Sequence, residues 1–369
     1  MEPFIEKVEA VLLSVPRRRG MTPAENLVVR IHSNEGVSGV GACQYESRYG
    51  ETGPEALLVI QKHYTPLLLK ENPLNIETVM AKLDRFMPDH LPSKAAVDIA
   101  LHDLKGKALK LPVYQLLGGR AREKVQLLAP QVSRGEPLEQ AREAARLIGE
   151  GFKAIKLRVG GEDAEKDVQR VKEVRQAVGQ SVEIRIDANE YYDPASAVGL
   201  INKLEPYDLA WVEDPIPGGD IHGFASLRSK VRVAIEAGQM GAPQDVLRFI
   251  RMGAADCFKI KVVRGGGLLK CKKSLSIAEA AGMSVVSGSG SDNDINFAAE
   301  VAINASTRHM SRACESTGAW FIYPEESRLV KEPLIVKDGY AYPLEKPGLG
   351  IELIESDLEK LAERFPFRS

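Results

Sequence analysis

From Val125 onward, the chain alternates between strand-like and helix-like segments at a spacing of about 25 residues, the period of a strand–helix unit. Eight segments have strand character: 126–133, 153–159, 182–187, 209–213, 231–236, 257–262, 284–287 and 309–314. Strands that alternate with helices pair in parallel, so eight strands with seven intervening helices predict a closed parallel barrel. The rival, a doubly wound open sheet, normally has a Gly-rich phosphate-binding turn after its first strand, and APQVSRGEP is not such a turn.

The first 125 residues have a different pattern, in which strands come first and helices follow. Three segments have strand character: 4–13, 26–33 and 38–44. Asn34-Glu35-Gly36 predicts a hairpin turn between the last two, and from residue 55 to 117 the apolar period becomes helical. The predicted class is α/β, a modified TIM barrel, (β/α)7β, with an α+β cap. The predicted parts are a capping domain over 1–125, a barrel over 126–325 and a C-terminal segment over 326–369 that returns to the cap.

Charge and hydropathy exclude several classes of protein. The 369 residues carry 49 Lys and Arg against 51 Asp and Glu, whereas nucleic-acid-binding proteins normally have a basic excess. The sequence contains no apolar run of about 18 residues, the length that a membrane-spanning helix needs. The start, MEPFIEKVEAV, lacks the pattern of a secretory signal, and the four cysteines form no CxxC pair. We therefore expect a cytoplasmic protein with reduced thiols and with neither nucleic-acid nor membrane partners.

Charged residues occupy alternate positions of several barrel strands. In FKAIKLRVG, the apolar Ile155 and Leu157 would face the surrounding helices, which puts Lys156 and Arg158 inside the barrel. The same alternation places further charged side chains inside: Arg185, Asp187, Glu213, Glu236, Lys259 and Lys261. The C-terminal ends of barrel strands form the active-site mouth, so these positions predict a charged catalytic centre.

Asp187, Glu213 and Glu236 close three consecutive strands. Three carboxylates side by side repel one another unless a cation neutralises them. A hard divalent cation with oxygen ligands fits this need, and Mg²⁺ fits best, one ion per subunit, with Mn²⁺ as a possible substitute. A single acidic residue after a strand is as often a helix cap or turn former. Its recurrence at three consecutive strand ends favours the metal site.

Lys156 and Lys261 lie on the second and sixth strands, on opposite sides of the acidic residues. A lone strand-end lysine is usually a solvated charge, but a lysine near a cation shifts toward its neutral form and can act as a base. Lowering a lysine pKa from about 10.4 to about 7 costs about 5 kcal/mol, and the same change for arginine costs more than about 7 kcal/mol. Arg158 is therefore a poor base and a better clamp for a carboxylate.

Several segments resemble the enolase superfamily, in its mandelate racemase and muconate lactonizing enzyme branch. AAVDIALHDLKGKALKLPVYQLLGG is similar to the capping-domain helix of that branch, and KPGLGIEL to its C-terminal return. RIDANEYYD, WVEDPIP and GAADCFKIKVVRGGGL resemble its third-, fourth- and sixth-strand motifs. The resemblance implies an α+β cap on a (β/α)7β barrel. It also implies Mg²⁺-dependent abstraction of the proton next to a carboxylate, giving an enediolate, with a Lys or His base.

The resemblance also implies roles for single residues. Asp187 and Glu213 match the first two metal ligands, and Lys261 matches the sixth-strand base. Lys156 and Arg158 occupy the second-strand Lys-x-Lys positions. Three further residues are candidate substrate contacts: Asn189, Glu315 and Arg18. Glu315 is equally explained as a charge at the rim of the barrel. Arg18 lies with Arg17 and Arg19 in the loop 15–26 and is also explained as a solvated loop charge.

The chain departs from the branch at three places. Arg158 replaces the second lysine of Lys-x-Lys, which is the base on one substrate face. The fifth strand has Ala237-Gly238 where the branch has an acidic pair, so we assign Glu236, two residues before Gly238, as the third ligand. The seventh strand ends in VVSGSGSDND without a histidine, and His309 falls at the start of the eighth, which favours a lysine base over an Asp-His dyad.

These departures favour a reaction that needs one base. We predict a lyase (an acid or sugar-acid dehydratase) or a cycloisomerase that acts on a small carboxylate. The alternative is a racemase or epimerase of an amino-acid or hydroxy-acid derivative, with Lys156 as the second base. A non-catalytic binding scaffold with a degenerate metal site is the alternative from another class. Relatives of this kind assemble through the cap, so we expect a homo-oligomer; the sequence leaves the substrate open.

Overall fold

The computed structural model describes residues 2–18, 21–45, 49–130, 132, 135–161, 163–239, 241–288, 292–316 and 318–363. The strands are β1 Ile5–Val15, β2 Ala24–Ser33, β3 Ser38–Gln44, β4 Val125–Gln126, β5 Ala154–Arg158, β6 Glu183–Asp187, β7 Trp211–Glu213, β8 Ile235–Ala237, β9 Cys257–Ile260, β10 Ser284–Ser287, β11 Val336–Lys337 and β12 Tyr340–Ala341.

The helices precede, separate and follow the barrel strands. They are α1 Gly53–Leu58, α2 Thr65–Leu68, α3 Ile76–Phe86, α4 Leu91–Leu109, α5 Val113–Leu116, α6 Pro137–Gly149, α7 Ala164–Val178, α8 Pro194–Leu204, α9 Ile221–Arg228, α10 Pro243–Met252, α11 Leu268–Ala280, α12 Asp294–Ala305, α13 Gly318–Phe321 and α14 Glu355–Glu363. A π-helical turn, Val59–Tyr64, joins α1 to α2. None of the helices in these described ranges combines the length and apolar character that a bilayer crossing needs.

The N-terminal strands form an antiparallel sheet in the order β1–β2–β3. The predicted hairpin is present: the Ser33 N–H donates to the Val37 carbonyl at 2.9 Å, and Gly36 has a φ of +75°. A left-handed φ is costly for residues with a side chain, which explains the glycine at this turn. The predicted helical character of residues 55–117 is confirmed by α1 to α5.

Helix α4 lies directly on β3 because two glycines leave room for its backbone. A Cβ on Gly39 would come within 2.1 Å of the Ala100 carbonyl oxygen, and a Cβ on Gly41 within 2.0 Å of the Ala96 carbonyl oxygen. Gly39 and Gly41 share a face of the strand, and Ala96 and Ala100 share a face of the helix, so the two periodicities meet in register. This contact brings the whole cap helix close to the sheet.

The six strands β5 to β10 form one parallel sheet in sequence order. Two irregular segments connect its edges. The Ala129 N–H donates to the Ala154 carbonyl of β5 at 2.9 Å, and the Glu315 N–H donates to the Ser287 carbonyl of β10 at 2.8 Å. The two segments meet where Leu128 N–H donates to the Cys314 carbonyl at 2.8 Å. Backbone hydrogen bonds thus run around the full circumference of a barrel.

The first and last predicted barrel strands were too long. The segment predicted as 126–133 contributes β4 and a single bridge from Leu127 to Cys314, and residues 131, 133 and 134 lie outside the described residues. The segment predicted as 309–314 contains only that bridge as strand structure. Arg122 donates to the carbonyls of Thr307, Arg308 and Met310, so a side chain binds the backbone at the start of this segment. Apolar spacing could not indicate this.

The predicted facing of the barrel strands is confirmed. The apolar side chains of β5 and β6 belong to the main core, packed with Val171 and Val174 of α7: these are Ile155, Leu157, Ile184 and Ile186. The residues between them, Lys156 and Arg185, are charged and form ion pairs inside the barrel with Glu213 and Glu315, respectively. Period-two alternation therefore separates an apolar outer layer from a charged centre.

The C-terminal part contacts both units. Strand β11 pairs with β12, β12 pairs with β4, and α14 packs against β1 of the cap sheet. Arg30 of β2 and Glu355 of α14 form an ion pair at 2.6 Å. The predicted domain boundaries at 125 and 325 stay predictions.

Replacing Gly41 by alanine is expected to destabilise the protein, because the added methyl group overlaps the α4 backbone. Overpacking of this kind costs about 1–3 kcal/mol, which urea denaturation would measure as a lower free energy of unfolding. Gly199→Ala is the matched control, since a Cβ there meets no atom within 4 Å and the residue lies in α8. That variant should gain up to about 1 kcal/mol. Equal effects in the two variants would contradict the packing account.

Candidate active site

The charged side chains converge because their strands are in register. Asp187 at the end of β6 is the Cα partner of Glu213, and Glu213 is the partner of Glu236 on β8. Partner positions in a parallel sheet point to the same face, so the three predicted ligands all point into the barrel. All three are at least 95% buried.

Two lysines bridge the carboxylates at the centre. The Lys156 Nζ lies 2.9 Å from Glu213 Oε2, 2.6 Å from Glu315 Oε2 and 3.7 Å from Asp187 Oδ2. The Lys259 Nζ binds Glu213 as well and lies 3.0 Å from the same Glu315 oxygen. Arg185 completes the cluster, with its Nη1 2.9 Å from Glu315 Oε1. Buried charges are tolerated only when paired in this way.

Three glutamates offer oxygens that lie within 4.8 Å of one another: Glu213, Glu236 and Glu315. The Glu236 Oε2 is buried and has no hydrogen-bond partner among the described residues. The structure thus brings together two of the three predicted ligands, Glu213 and Glu236, and adds Glu315. Asp187 does not belong to this group of three glutamates. The Asp187 Oδ2 lies 3.7 Å from the Lys156 Nζ, and the Asp187 Oδ1 accepts the Asn189 N–H at 2.9 Å.

The end of β8 is followed by a glycine, Gly238, where the fifth-strand motif of the resembled branch has an acidic side chain. A Cβ on Gly238 would lie 2.5 Å from Glu213 Oε1 and 2.8 Å from Asp214 Oδ2. Asp214 itself accepts the Gly238 N–H at 2.7 Å and the Gln239 side-chain amide at 2.8 Å. Its backbone is left-handed, with a φ of +42°, an unusual conformation for a residue with a side chain. A fourth acidic side chain therefore lies beside Glu213.

Burial and charge pull the pKa values of these groups apart. Burial alone would raise the pKa of Glu213, but Lys156 and Lys259 outweigh it and lower that pKa to about 2. Burial, followed by the charges of Glu213 and Asp187, raises the pKa of Asp214 to about 7. Burial likewise raises the pKa of Glu236 well above its ordinary value. The centre thus contains both firmly ionised and easily protonated carboxyls.

The lysines also differ from one another. Burial opposes the charged form of Lys156, but Glu213 and Glu315 outweigh it and raise the Lys156 pKa. Burial, assisted by the charge of Lys259, lowers the pKa of Lys261 to about 8. Lys261 directly follows β9, which is separated from β5 by three strands and so lies across the barrel from Lys156. Of these two amines, Lys261 is the one suited to take up a proton near neutral pH.

The remaining predicted site residues lie at the rim. The Arg158 Nη2 is 4.0 Å from Asp187 Oδ2, and its Nε is buried without a hydrogen-bond partner among the described residues. Asn189 is half-buried and left-handed, with a φ of +47°. Arg18 is exposed and its N–H donates to the Ile322 carbonyl at 2.7 Å, while Arg19 lies outside the described residues. The substrate-contact roles of Asn189, Glu315 and Arg18 stay predictions.

Sequence reasoning missed Asp214 and assigned no role to Lys259 or Arg185. Strand alternation did place Lys259 and Arg185 inside the barrel, but no pattern indicated that both would bind Glu315. Tyr49 of the cap was missed as well; its ring centroid lies 5.8 Å from the Lys261 Nζ. No local signal connects residues so far apart in sequence.

The donor set fits a hard divalent cation. It consists of carboxylate oxygens only, and Glu236 adds a buried oxygen that lacks a hydrogen-bond donor among the described residues. Such oxygens are the ligands that Mg²⁺ and Mn²⁺ prefer. The group is therefore able to bind a metal ion; the identity of the ion is not given by the geometry.

Comparison with known proteins agrees with this fold. The family model described as enolase C-terminal domain-like matches residues 139–357, and the mandelate racemase / muconate lactonizing enzyme N-terminal domain matches residues 9–118. An N-succinyl-L-Arg/Lys racemase of Bacillus cereus is 30% identical, over 91% of this chain and 90% of its own. Muconate cycloisomerase 1 of Rhodococcus opacus is 30% identical, over 95% and 96%.

A solved structure extends the likeness to three dimensions. A mandelate racemase/muconate lactonizing family protein from Azoarcus sp. EbN1 superposes with a TM-score of 0.91 and 34% identity, over 99% of this chain and 98% of that one. The chain belongs to the mandelate racemase and muconate lactonizing enzyme branch of the enolase superfamily. It is an enzyme of the isomerase or lyase type.

Glu315→Gln is expected to destabilise the protein, because it leaves Lys156, Lys259 and Arg185 with fewer anionic partners. Removing one member of a buried ion-pair cluster costs about 3–5 kcal/mol, measurable by urea denaturation. Glu71→Gln is the matched control: Glu71 pairs with Lys82 at 2.8 Å near the surface, and losing such a pair costs less than about 1 kcal/mol. A Glu315 variant no less stable than the Glu71 variant would show that the cluster does not depend on this carboxylate.

Proposed function

We propose that this enzyme abstracts the proton next to a substrate carboxylate, with Lys261 as the base and Mg²⁺ as the cofactor. The observation that carries the proposal is the contrast between the two facing amines. Several carboxylates hold the Lys156 ammonium protonated, whereas Lys261 lies across the barrel with a pKa lowered to about 8 by burial. One group is thus prepared to accept a proton and the other to stabilise negative charge.

Asp187, Glu213 and Glu236 are the proposed metal ligands. Their register, with Asp187 beside Glu213 and Glu213 beside Glu236, supports this set, and the 4.8 Å grouping of Glu213, Glu236 and Glu315 supports Glu315 as a replacement for Asp187. When bound, Mg²⁺ supplies positive charge to the substrate carboxylate as negative charge develops on it. Arg158 is the proposed clamp for the same carboxylate.

A one-base reaction, cycloisomerisation or loss of a β-leaving group, fits the arrangement best. Arg158 stands where a second base would be needed, and an arginine is too costly to deprotonate. The muconate cycloisomerase relative supports this choice. Racemisation or epimerisation is the second candidate, with Lys156 as the other base, and the racemase relative favours it. A cytoplasmic location, a small-molecule carboxylate substrate and a homo-oligomer complete the proposal.

Lys261→Met is expected to lower the rate of α-proton exchange by about 10²–10⁴-fold, the usual contribution of a general base. The assay incubates the enzyme with Mg²⁺ and a panel of muconolactones and N-succinyl amino acids in D₂O and follows deuterium incorporation by NMR. Arg158→Met should mainly raise KM, and Lys203→Met, at an exposed ion pair with Glu165, should leave the rate unchanged. Deuterium incorporation with inversion would favour the racemase. An unchanged rate of α-proton exchange in the Lys261→Met variant would contradict the one-base mechanism.

Mg²⁺ titration by calorimetry is expected to show one binding site in the wild type and none in Glu213→Gln. Asp187→Asn and Glu315→Gln separate the two ligand sets, because only the variant that removes a true ligand should weaken binding strongly. Glu71→Gln serves as the surface control. Absence of Mg²⁺ binding by the wild type would contradict the metal-dependent mechanism.

A further inference from the structure

The segment that carries Lys261 is anchored at both ends by buried carboxylates from other parts of the fold. At its start, the Val262 N–H donates to Glu300 Oε1 of α12 at 2.7 Å. At its end, the Leu268 N–H, the first of α11, donates to Asp98 Oδ2 at 2.5 Å. Glu300 belongs to the barrel, but Asp98 belongs to the cap helix α4.

The segment between these anchors is a compact turn. The Gly265 N–H donates to the Lys261 carbonyl at 2.7 Å, and the Gly267 N–H donates to the Val262 carbonyl at 2.9 Å. Gly267 has a φ of +108°, and a Cβ there would lie 2.4 Å from the Asp98 Cβ. The Asp98 side chain is therefore pressed against the turn, and two backbone hydrogen bonds connect the residues just before α11 to the carbonyls of Lys261 and Val262.

Asp98 is itself held in place. Asp98 is fully buried. His102 lies one turn later on α4 and donates from its Nδ1 to the Asp98 carbonyl at 2.8 Å. The same Nδ1 lies 3.3 Å from the Asp98 Oδ2. Asp98 is two residues from both Ala96 and Ala100, which face β3, so it projects from the opposite side of the helix. Helix α4 thus contacts the cap sheet with one side and the base-bearing segment with the other.

We propose that Asp98 is a positioning residue, through which the cap helix sets the placement of the base Lys261. The proposal rests on Lys261 being the base. Within the described ranges, no hydrogen bond or ion pair joins Asp98 to a proposed metal ligand; it acts by holding the first backbone N–H of α11. The cap therefore contributes to the chemical step as well as to covering the barrel.

The test compares Asp98→Ala with Asp103→Ala. Asp103 is the matched control, because it is a buried carboxylate on the same helix that accepts the N–H groups of Val40 and Leu349 but does not contact the base-bearing segment. In the D₂O exchange assay, Asp98→Ala should lower kcat per folded molecule by about 10–100-fold, the cost of misplacing a reacting group, with KM little changed. Asp98→Asn, which keeps an acceptor oxygen, should restore most of the rate. Asp103→Ala should lower stability without lowering kcat.

A second measurement needs no substrate. Acetic anhydride acetylates neutral amines, so the pH dependence of Lys261 acetylation, followed by mass spectrometry of its peptide, reports the surroundings of this amine. In Asp98→Ala the loosened segment should expose Lys261 and move the midpoint upward, whereas Asp103→Ala should match the wild type. Asp98→Ser replaces the alanine variant if that variant does not fold.

The outcomes separate the two proposals. If Lys261→Met retains exchange while the acetylation midpoint still shifts in Asp98→Ala, the base assignment fails and the positioning contact stands. If Asp98→Ala and Asp103→Ala give the same kcat and the same acetylation midpoint, Asp98 has only a structural role and the inference is wrong.

Discussion

Charge compensation at the centre of the barrel is the constraint on which the rest of the site depends. Glu213 and Glu315 are buried, and each is bound by the ammonium groups of both Lys156 and Lys259. Without those partners, burial would force the two carboxyls into their neutral form. The same pairing holds Lys156 protonated and leaves Lys261, outside the bridge, as the amine that can lose its proton. The different protonation states of Lys156 and Lys261 follow from this arrangement of charge.

Helix α4 connects the cap sheet to that centre. Helix α4 packs on the cap sheet through Gly39 and Gly41 and contacts the start of α11 through Asp98. A buried helix normally carries apolar residues on all sides, but here each buried carboxylate of α4 has backbone N–H partners in another element. The polar groups of α4 therefore specify where the cap sits on the barrel, while its small residues determine how closely it packs.

Much of the fold could be predicted from periodicity alone. Alternation in FKAIKLRVG and VEIRIDANE was enough to predict which side chains of β5 and β6 point inward, because one face of each strand must meet the apolar helices. The length of the eighth strand could not be predicted in the same way, since among the described residues only a bridge between Leu127 and Cys314 forms there and the Arg122 side chain binds the backbone before it. Strand propensity does not record such long-range side-chain contacts.

The site was predictable at the level of strands but not of individual oxygens. Asp187, Glu213 and Glu236 do face one another, yet Glu315 is the residue that joins Glu213 and Glu236 within 4.8 Å. Its approach depends on how the irregular segment after Cys314 closes the barrel, which is a tertiary property. Gly238 illustrates the same limit, because the sequence indicates a missing side chain but not that Asp214 lies in the adjacent space.

The central claim is that the strand-end carboxylates hold a dication between the two facing amines. Anomalous X-ray scattering from crystals grown with Mn²⁺ tests it most directly, because the signal locates the ion without reference to any substrate. The account predicts one site per chain, bonded to Glu213, to Glu236 and to either Asp187 or Glu315, with the Lys156 ammonium moved off the Glu213 oxygen that it binds without metal. No anomalous peak inside the barrel, with both lysines still bridging Glu213 and Glu315, would contradict it.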